Sequence, residues 1–284
     1  MKIAVLADIH ANLPALQSVI ADIEAWRPDE VIVAGDIVNR GPESLACLEL
    51  VLRMCRERGW RLIRGNHEGY VLRYDRDHRL PDFPAAGPRR DLSRMTAWSH
   101  AQVEQHIATI AAMPEHLRLA APAGPLVVYH ASVRHDRDGI MGLSSDAELR
   151  QQIDPAAAVF CVGHTHMPFV RRVDETLLVN VGSVGLSFDG DTRAAYAQLS
   201  LGRAGWQAQI VRLPYDLAAT ERAYYASGML DFVGPIGDLM LREVQTGRSL
   251  IFDFVPVYHE RLMAGAISIG EAVSEFLSRI GRAA

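Results

Sequence analysis

A chain of 284 residues, 49% hydrophobic and 22% charged, can bury a sizeable core and has the balance of an ordinary globular protein. Its formal net charge of −5 gives no electrostatic reason to expect general nucleic-acid or membrane-surface binding. Three cysteines are too few for a disulfide framework.

The chain opens on KIAVLADIH, a short apolar run that turns polar at Asp8, too early for a signal peptide. No apolar run reaches the roughly 18 residues of a membrane span. The expectation is a cytoplasmic protein without membrane contact. After Asn12, with Pro14 in the first turn, Leu16, Val19, Ile20 and Ile23 recur at helical spacing. EVIVAGDIV (30–38) then reads as a second strand. Pro42 follows Gly41 where a first helical residue would stand, and Leu45, Leu48, Leu52 and Cys55 form one stripe. Cys47 and Cys55 in that helix sit roughly 12 Å apart along its axis, too far to bridge. RLIRGNHE (61–68) supplies a third strand, and the βαβαβ opening predicts an α/β fold.

The stretch DRDHRLPDFPAAGPRRDL (75–92) breaks this order with prolines, glycine and charge. It predicts a long loop followed by two helices to about Met113, with 75–113 as a lid. Three more apolar runs end in polar or glycine residues: PLVVYHAS, AVFCVGHTH and LLVNVGSVG. Nearly continuous β-branched runs of this kind read as strands buried on both faces, with Cys161 a buried thiol. Two apolar stretches around GRAG, Ala194 to Leu213, predict a hairpin that closes the sheet. Beyond Pro214 three segments look helical, the last with a capping box at Ser268 and Glu271 and Val273, Phe276, Leu277 and Ile280 on one face. The chain thus divides into a catalytic domain at 1–215 and a helical extension at 216–284. The extension carries no visible chemistry and packs on the core or serves homo-oligomerisation.

Functional residues of open α/β sheets gather at the carboxyl ends of strands. Here those ends supply Asp8 and His10, Asp36, Asn66 and His67, His130, and His164 and His166. Oxygen and nitrogen donors without cysteine suit manganese, iron, cobalt, nickel or zinc. Residues i and i+2 of extended backbone lie roughly 6–7 Å apart on one face. The pair His164 and His166 therefore suits two ions about 3.5–4 Å apart, the spacing of two-metal hydrolysis. Asp36, with two oxygens, can bridge them, and neutral Asn66 adds a donor without adding charge.

The blocks DIH, GDIVNRG, GNHE and GHTH, with the strand-end His130 between the last two, resemble the calcineurin-like metallophosphoesterase family over about residues 1–213. NVGSVG looks like the turn that follows the histidine pair in its bacterial branch. The resemblance implies two facing mixed sheets flanked by helices, a four-layer αββα sandwich. It also implies two divalent cations, manganese or iron foremost, with zinc, nickel or cobalt as alternatives. Asp8, His10, Asp36 and His166 would hold the first ion; Asp36, Asn66, His130 and His164 would hold the second. His67 matches a histidine that binds phosphate and protonates the leaving oxygen, and Arg40 matches a phosphate-gripping arginine. The residue before that arginine is an aspartate in the phosphoprotein-phosphatase branch and Asn39 here, so His67 lacks that carboxylate partner.

The implied activity is hydrolysis of phosphate mono- or diesters of a small molecule, a nucleotide foremost. Alternatives are a dinucleoside polyphosphate hydrolase, a serine/threonine protein phosphatase and a non-catalytic scaffold. Glu68 reads as a structural hydrogen-bond partner. His78, His100, His106, His116, His135 and His259 read as surface or lid positions, of which His78 and His135 could approach substrate. Arg76, Arg79, Arg89, Arg90 and Arg94, interleaved with aspartates, read as a solvated face.

Overall fold

The first apolar run forms strand β1 (Lys2–Leu6), and the amino-terminal sheet grows from it in both directions. The computed structural model describes residues 1–281. Helix α1 (Leu13–Trp26) returns the chain to β2 (Glu30–Val33), which runs parallel to β1 with Leu6 opposite Val33. Asn12 caps α1, its Oδ1 accepting the Ala15 N–H at 3.2 Å. Helix α2 (Ser44–Arg58) leads to β3 (Arg61–Leu62), a strand of two residues parallel to β2. Helices α3 (Asn66–Asp77), α4 (Pro88–Val103) and α5 (Ile107–Ala111) follow before the second sheet begins.

That sheet contains β4 (His116–Leu119), β5 (Leu126–Tyr129), β6 (Val159–Val162), β7 (Phe169–Val173) and β8 (Thr176–Asn180). Its order is β4-β5-β6-β8-β7, parallel through β5, β6 and β8 with an antiparallel strand at each edge. Helix α6 (Asp146–Gln152) joins β5 to β6. The hairpin β9 (Ala194–Gly202) and β10 (Gly205–Leu213) then returns to the first sheet, giving the order β10-β9-β1-β2-β3. Gly205, at φ +94°, makes the return where other residues would be strained.

Alternation along the strands separates three cores. Ile3, Val5 and Ile32 face Val128, Val159, Cys161 and Val179 between the sheets. Ala4, Leu6, Val31 and Val33 turn the other way onto Leu16 and Val19 of α1 and Leu48 and Val51 of α2. Val127, Phe160 and Leu178 pack outward against Leu149 of α6. These are the four layers of the expected sandwich, and the three cysteines are free. No helix among the described residues is long and apolar enough to cross a membrane.

Helices α7 (Leu217–Ala226), α8 (Met229–Val233), α9 (Pro235–Thr246), α10 (Leu250–Met263) and α11 (Ile269–Gly281) follow the hairpin. They share a separate apolar cluster of Tyr224, Leu239, Phe254, Tyr258, Leu262 and Phe276, onto which Leu92, Met95 and Trp98 of α4 also pack. Ser268 and Glu271 form the expected capping box, the Ser268 N–H donating to Glu271 at 2.9 Å and the Glu271 N–H to Ser268 Oγ at 3.2 Å.

Several expectations need correction. The loop expected over 75–92 shrinks to residues 78–87, because α3 runs on to Asp77 and α4 starts at Pro88. The Arg79–Asp75 ion pair, the hydrogen bond between His100 and Asp75 and stacking of Tyr74 on His78 hold the helix end together. Pro42 precedes α2, whose cap is Glu43; its carbonyl is held by Trp98 and Gln102 of α4. The buried stripe of α2 is Cys47, Leu48, Val51 and Met54, one position off the expected one at most sites. Strands β4 and β7 and helices α6, α8 and α10 had no sequence signal strong enough to be read. Residues 282–284 of the expected extension lie outside the described residues.

Phe254 is fully buried, 4.9 Å from the Tyr258 ring and 5.6 Å from that of Phe276. Phe254→Ala is expected to cost about 3–5 kcal/mol in chemical denaturation.

Candidate metal centre

The ligand candidates and His67 sit just past strand ends, and Arg40 lies in the loop between β2 and α2. Asp8 and His10 follow β1, Asp36 follows β2, Asn66 and His67 open α3 just past β3, His130 follows β5, and His164 and His166 follow β6. The first two strand ends are laced together: the Asp8 N–H donates to Gly35 O at 3.1 Å and the His10 N–H to Asp36 O at 3.0 Å. Asp8, His10, Asp36, Arg40, His164 and His166 all have φ between 47° and 67°, in the left-handed region. For non-glycine residues this costs roughly 1–2 kcal/mol each.

His164 (φ 66°) and His166 (φ 58°) therefore do not lie on extended backbone, and the i, i+2 geometry expected for them is wrong. The tight turn still sends the two rings to different neighbours. His164 Nδ1 lies 2.8 Å from Asn66 Oδ1, whereas His166 Nε2 lies 3.1 Å from His10 Nε2 and 3.3 Å from Asp8 Oδ1.

The turns are fixed by backbone accounting. Glu68 accepts four buried N–H groups: Asp36 at 2.8 Å, Ile37 at 2.7 Å, Val38 at 3.2 Å and Gly65 at 2.8 Å. Burial and the Asp36 charge push its pKa up, and the N–H groups from Gly65, Val38 and Asp36 pull it back. Asp36 Oδ1 accepts the His67 N–H at 2.8 Å, and Asp8 Oδ2 accepts the His164 N–H at 2.9 Å. A Cβ on Gly65 would collide with Asp36, and one on Gly163 with Asp8, so both blocks need glycine for close approach.

With one oxygen of each aspartate spent on the backbone, the other faces the rings. Asp36 Oδ2 is 3.2 Å from His130 Nε2 and 3.7 Å from His10 Nε2. His130 Nε2 also lies 2.8 Å from Asn66 Oδ1, and its Nδ1 donates to Ala34 O at 2.8 Å. The Nδ1 of His166 likewise donates to Leu186 O. A ring that gives its N–H to a carbonyl presents a lone pair at its other nitrogen, the arrangement of metal-ligating histidines. Lone pairs and carboxylate oxygens thus face one another, and Asp8 Oδ1, His10 Nδ1 and His67 Nδ1 are buried without hydrogen-bond partners. Donor atoms of Asp8, His10 and His166, of His10, Asp36 and His67, and of Asp8, Asp36 and His130 each converge within 4.8 Å. This donor set fits divalent cations.

Burial, with the neighbouring His67 and His166, holds His10 well below the usual imidazole pKa. Burial also pushes His67 down to about 3 and His164 to about 4. Burial opposes charge on His130 too, but Asp36 outweighs it and the ring is held up at about 10. The Asp36 carboxyl is desolvated yet held well below its usual range by His130 and His67.

Residues 1–203 match the calcineurin-like phosphoesterase superfamily domain. The chain belongs to that superfamily. As a calcineurin-like metallophosphoesterase it is a phosphoric ester hydrolase of a metal-dependent family that acts on phosphate esters. An uncharacterized protein of Methanocaldococcus jannaschii is 26% identical over 231 residues, covering 76% of this chain and 88% of that one. A solved metallophosphoesterase from Sphaerobacter thermophilus aligns with a TM-score of 0.65 at 24% identity, over 87% of this chain and 99% of its own. A hypothetical protein from Pyrococcus horikoshii aligns with a TM-score of 0.71 at 16% identity over the same shares, 87% and 99%.

Some residues around this phosphoesterase centre escaped the sequence reading. Asn180 and Ser183, in the NVGSVG turn, brace the loops: the Asn180 amide donates to Gly163 O and Thr165 Oγ1, both at 2.9 Å, and Ser183 Oγ donates to Asp8 O at 2.7 Å. Arg40 is buried, not a surface arginine, and pairs with Glu243 of α9 at 2.8 Å, so the extension does reach the site. Nothing in the local sequence around Glu243 marks it. Asn39 sends its amide to Thr96 at 3.5 Å. Among the remaining histidines, His100 is buried, and its Nε2 lies 2.8 Å from Asp75. His78, His100 and Asp75 converge as well, but that carboxylate already serves Arg79.

Glu68→Gln would leave two of the four N–H groups facing an NH2, at about 1–3 kcal/mol for each. The expected outcome is a lower denaturation midpoint together with weaker metal retention, read by chemical denaturation and elemental analysis.

Proposed function

We propose that the chain hydrolyses phosphate mono- or diesters of a small molecule, a nucleotide foremost, at a centre holding two divalent cations. Asp36 carries this reading: its free oxygen lies beside His10 on one side and His130 on the other. It would therefore be shared between one set of Asp8, His10 and His166 and another of Asn66, His130 and His164. Manganese or iron suits this oxygen- and nitrogen-rich set best, with zinc, nickel or cobalt as alternatives. When bound, such a pair lowers the pKa of a water and neutralises phosphoryl charge.

The other steps fall to the chain's own side chains. His67 lies edge-on to His10, 4.8 Å between ring centres, and packs on Tyr70 at 4.9 Å. Held near 3 by burial, it is neutral at rest. A phosphate brought beside it adds negative charge, raises its pKa and fits it to give a proton to the leaving oxygen. Arg40, whose charge acts on both His10 and His67, would supply a guanidinium to the phosphoryl oxygens. Asn39 offers His67 no carboxylate, which argues against the phosphoprotein-phosphatase arrangement.

The test is hydrolysis of a chromogenic phosphate ester under several divalent ions, followed by monoesters, cyclic nucleotides and dinucleoside polyphosphates. Activity that chelation abolishes is expected; silence with every ion would favour a scaffold. His67→Asn is expected to keep both metals and slow turnover by on the order of 10² to 10⁴; loss of metal would make it a ligand instead. Asp36→Asn is expected to weaken both metal positions in elemental analysis, and an intact pair would contradict the shared carboxylate.

A further inference from the structure

We propose that Glu243 of α9 is a positioning residue that holds Arg40 against the metal centre, making the carboxyl-terminal helices part of the substrate-binding apparatus. This rests on the phosphoesterase reading of the site above and goes beyond it in assigning a role to the extension.

Arg40 Nη1 and Glu243 Oε2 are 2.8 Å apart, with side-chain exposures of 7% and 0%. The other carboxylate oxygen, Oε1, accepts the Ile251 N–H at 2.9 Å in the first turn of α10, so the carboxylate is fixed at both ends. Flat faces complete the slot: the guanidinium lies 5.8 Å from the ring centres of both Phe188 and Phe252. Phe188 in turn stacks on His166 at 4.3 Å and 13°. The Arg40 backbone, at φ 67°, is held by the Tyr224 hydroxyl of α7, which donates to Arg40 O at 2.9 Å. Three helices of the extension therefore converge on one arginine.

Glu243 takes one Nη1 N–H of Arg40, and Arg40 Nε is buried without a partner. A guanidinium offers five N–H groups in a fixed plane, so it can keep Glu243 on one edge and still present N–H groups to an anion. An unpaired guanidinium is costly to bury, and without Glu243 the side chain would turn out to solvent. The carboxylate therefore sets where the cationic group stands, although its own charge opposes that of a phosphate.

The experiment compares the metal-loaded full chain with its Glu243→Gln, Arg40→Ala, doubly substituted and Phe252→Ala forms. KM and kcat are measured on a chromogenic phosphate ester, and inorganic phosphate binding by calorimetry. Glu243→Gln is expected to raise KM and weaken phosphate binding about 10-fold, the scale of one charge-assisted hydrogen bond. Metal content should be unchanged and kcat affected less than KM. Arg40→Ala should add little in the Glu243→Gln background, as expected for residues acting through one another. Phe252 is 59% exposed, so its removal disturbs the fold less than loss of the buried Glu243, and Phe252→Ala is expected to show the same signature more weakly. It decides the matter if Glu243→Gln does not fold. Unchanged or tighter phosphate binding in Glu243→Gln, or additive losses in the double variant, would overturn the positioning role while leaving the phosphoesterase reading intact. A wild-type protein inactive with every divalent ion would instead overturn that reading.

Discussion

Buried acceptors that face one another govern the architecture. Asp8 Oδ1, Asp36 Oδ2, Asn66 Oδ1 and the free nitrogens of His130 and His166 are gathered with too few protons to satisfy them, and repulsion between them rises as water leaves. Without a cation the centre relieves this by keeping a proton on His130, held up at about 10 beside Asp36. A cation held at that nitrogen would have to displace the proton. Low basicity at His10, His67 and His164 comes first from burial, with neighbouring imidazoles adding to it.

Such a centre persists only if something else holds it open. Asp8, His10, Asp36, Arg40, His164 and His166 adopt left-handed backbone, and the turns are held by hydrogen bonds whose removal would bury an unsatisfied N–H or carbonyl. Glu68 is the main clamp, since one carboxylate fixes both the Asp36 turn and the start of α3. Asn180 and Ser183 do the same for the Asp8 and His164 turns from the second sheet. Because β1 and β6 line a shared apolar core through Val5 and Cys161, the two clamps are tied by packing as well as by hydrogen bonds. The sheets set where the loops start; the clamps set where the side chains end.

Short blocks at strand ends made the sheets and the convergence of donors legible, because glycine, aspartate and histidine after a β-branched run have few other reasons to recur. Elements that lack such punctuation were lost. Strand β4, HLRL, alternates for only four residues at a sheet edge, too short a run to stand out, and α10 carries Pro256 in its interior, which breaks its helical reading. The 75–92 segment misled because its prolines and charges read as loop, whereas pairing of Asp75 with Arg79 and His100 extends α3 through it. The extended geometry expected for His164 and His166 is absent, although their rings do reach different neighbours. A GHTH turn places its rings by left-handed φ, which residue type alone does not reveal.

Glu243 lay beyond reach for a different reason: a glutamate in an amphipathic helix looks the same whether it faces solvent or a buried arginine 203 residues earlier. The family match ends at residue 203, whereas Tyr224, Glu243 and Phe252 lie after it. The strand-end donors thus belong to the shared fold, and the surroundings of Arg40 belong to the extension. Phe188 links the two, stacked on His166 and 6.3 Å from Phe252. Any change in how the helices dock is therefore felt at a candidate metal ligand and at the arginine together, while Asp36, His130 and Asn66 on the far side keep their own supports. The candidate ligands and the arginine beside them thus rest on different parts of the chain, the first on strand ends and the second on helices that follow the hairpin.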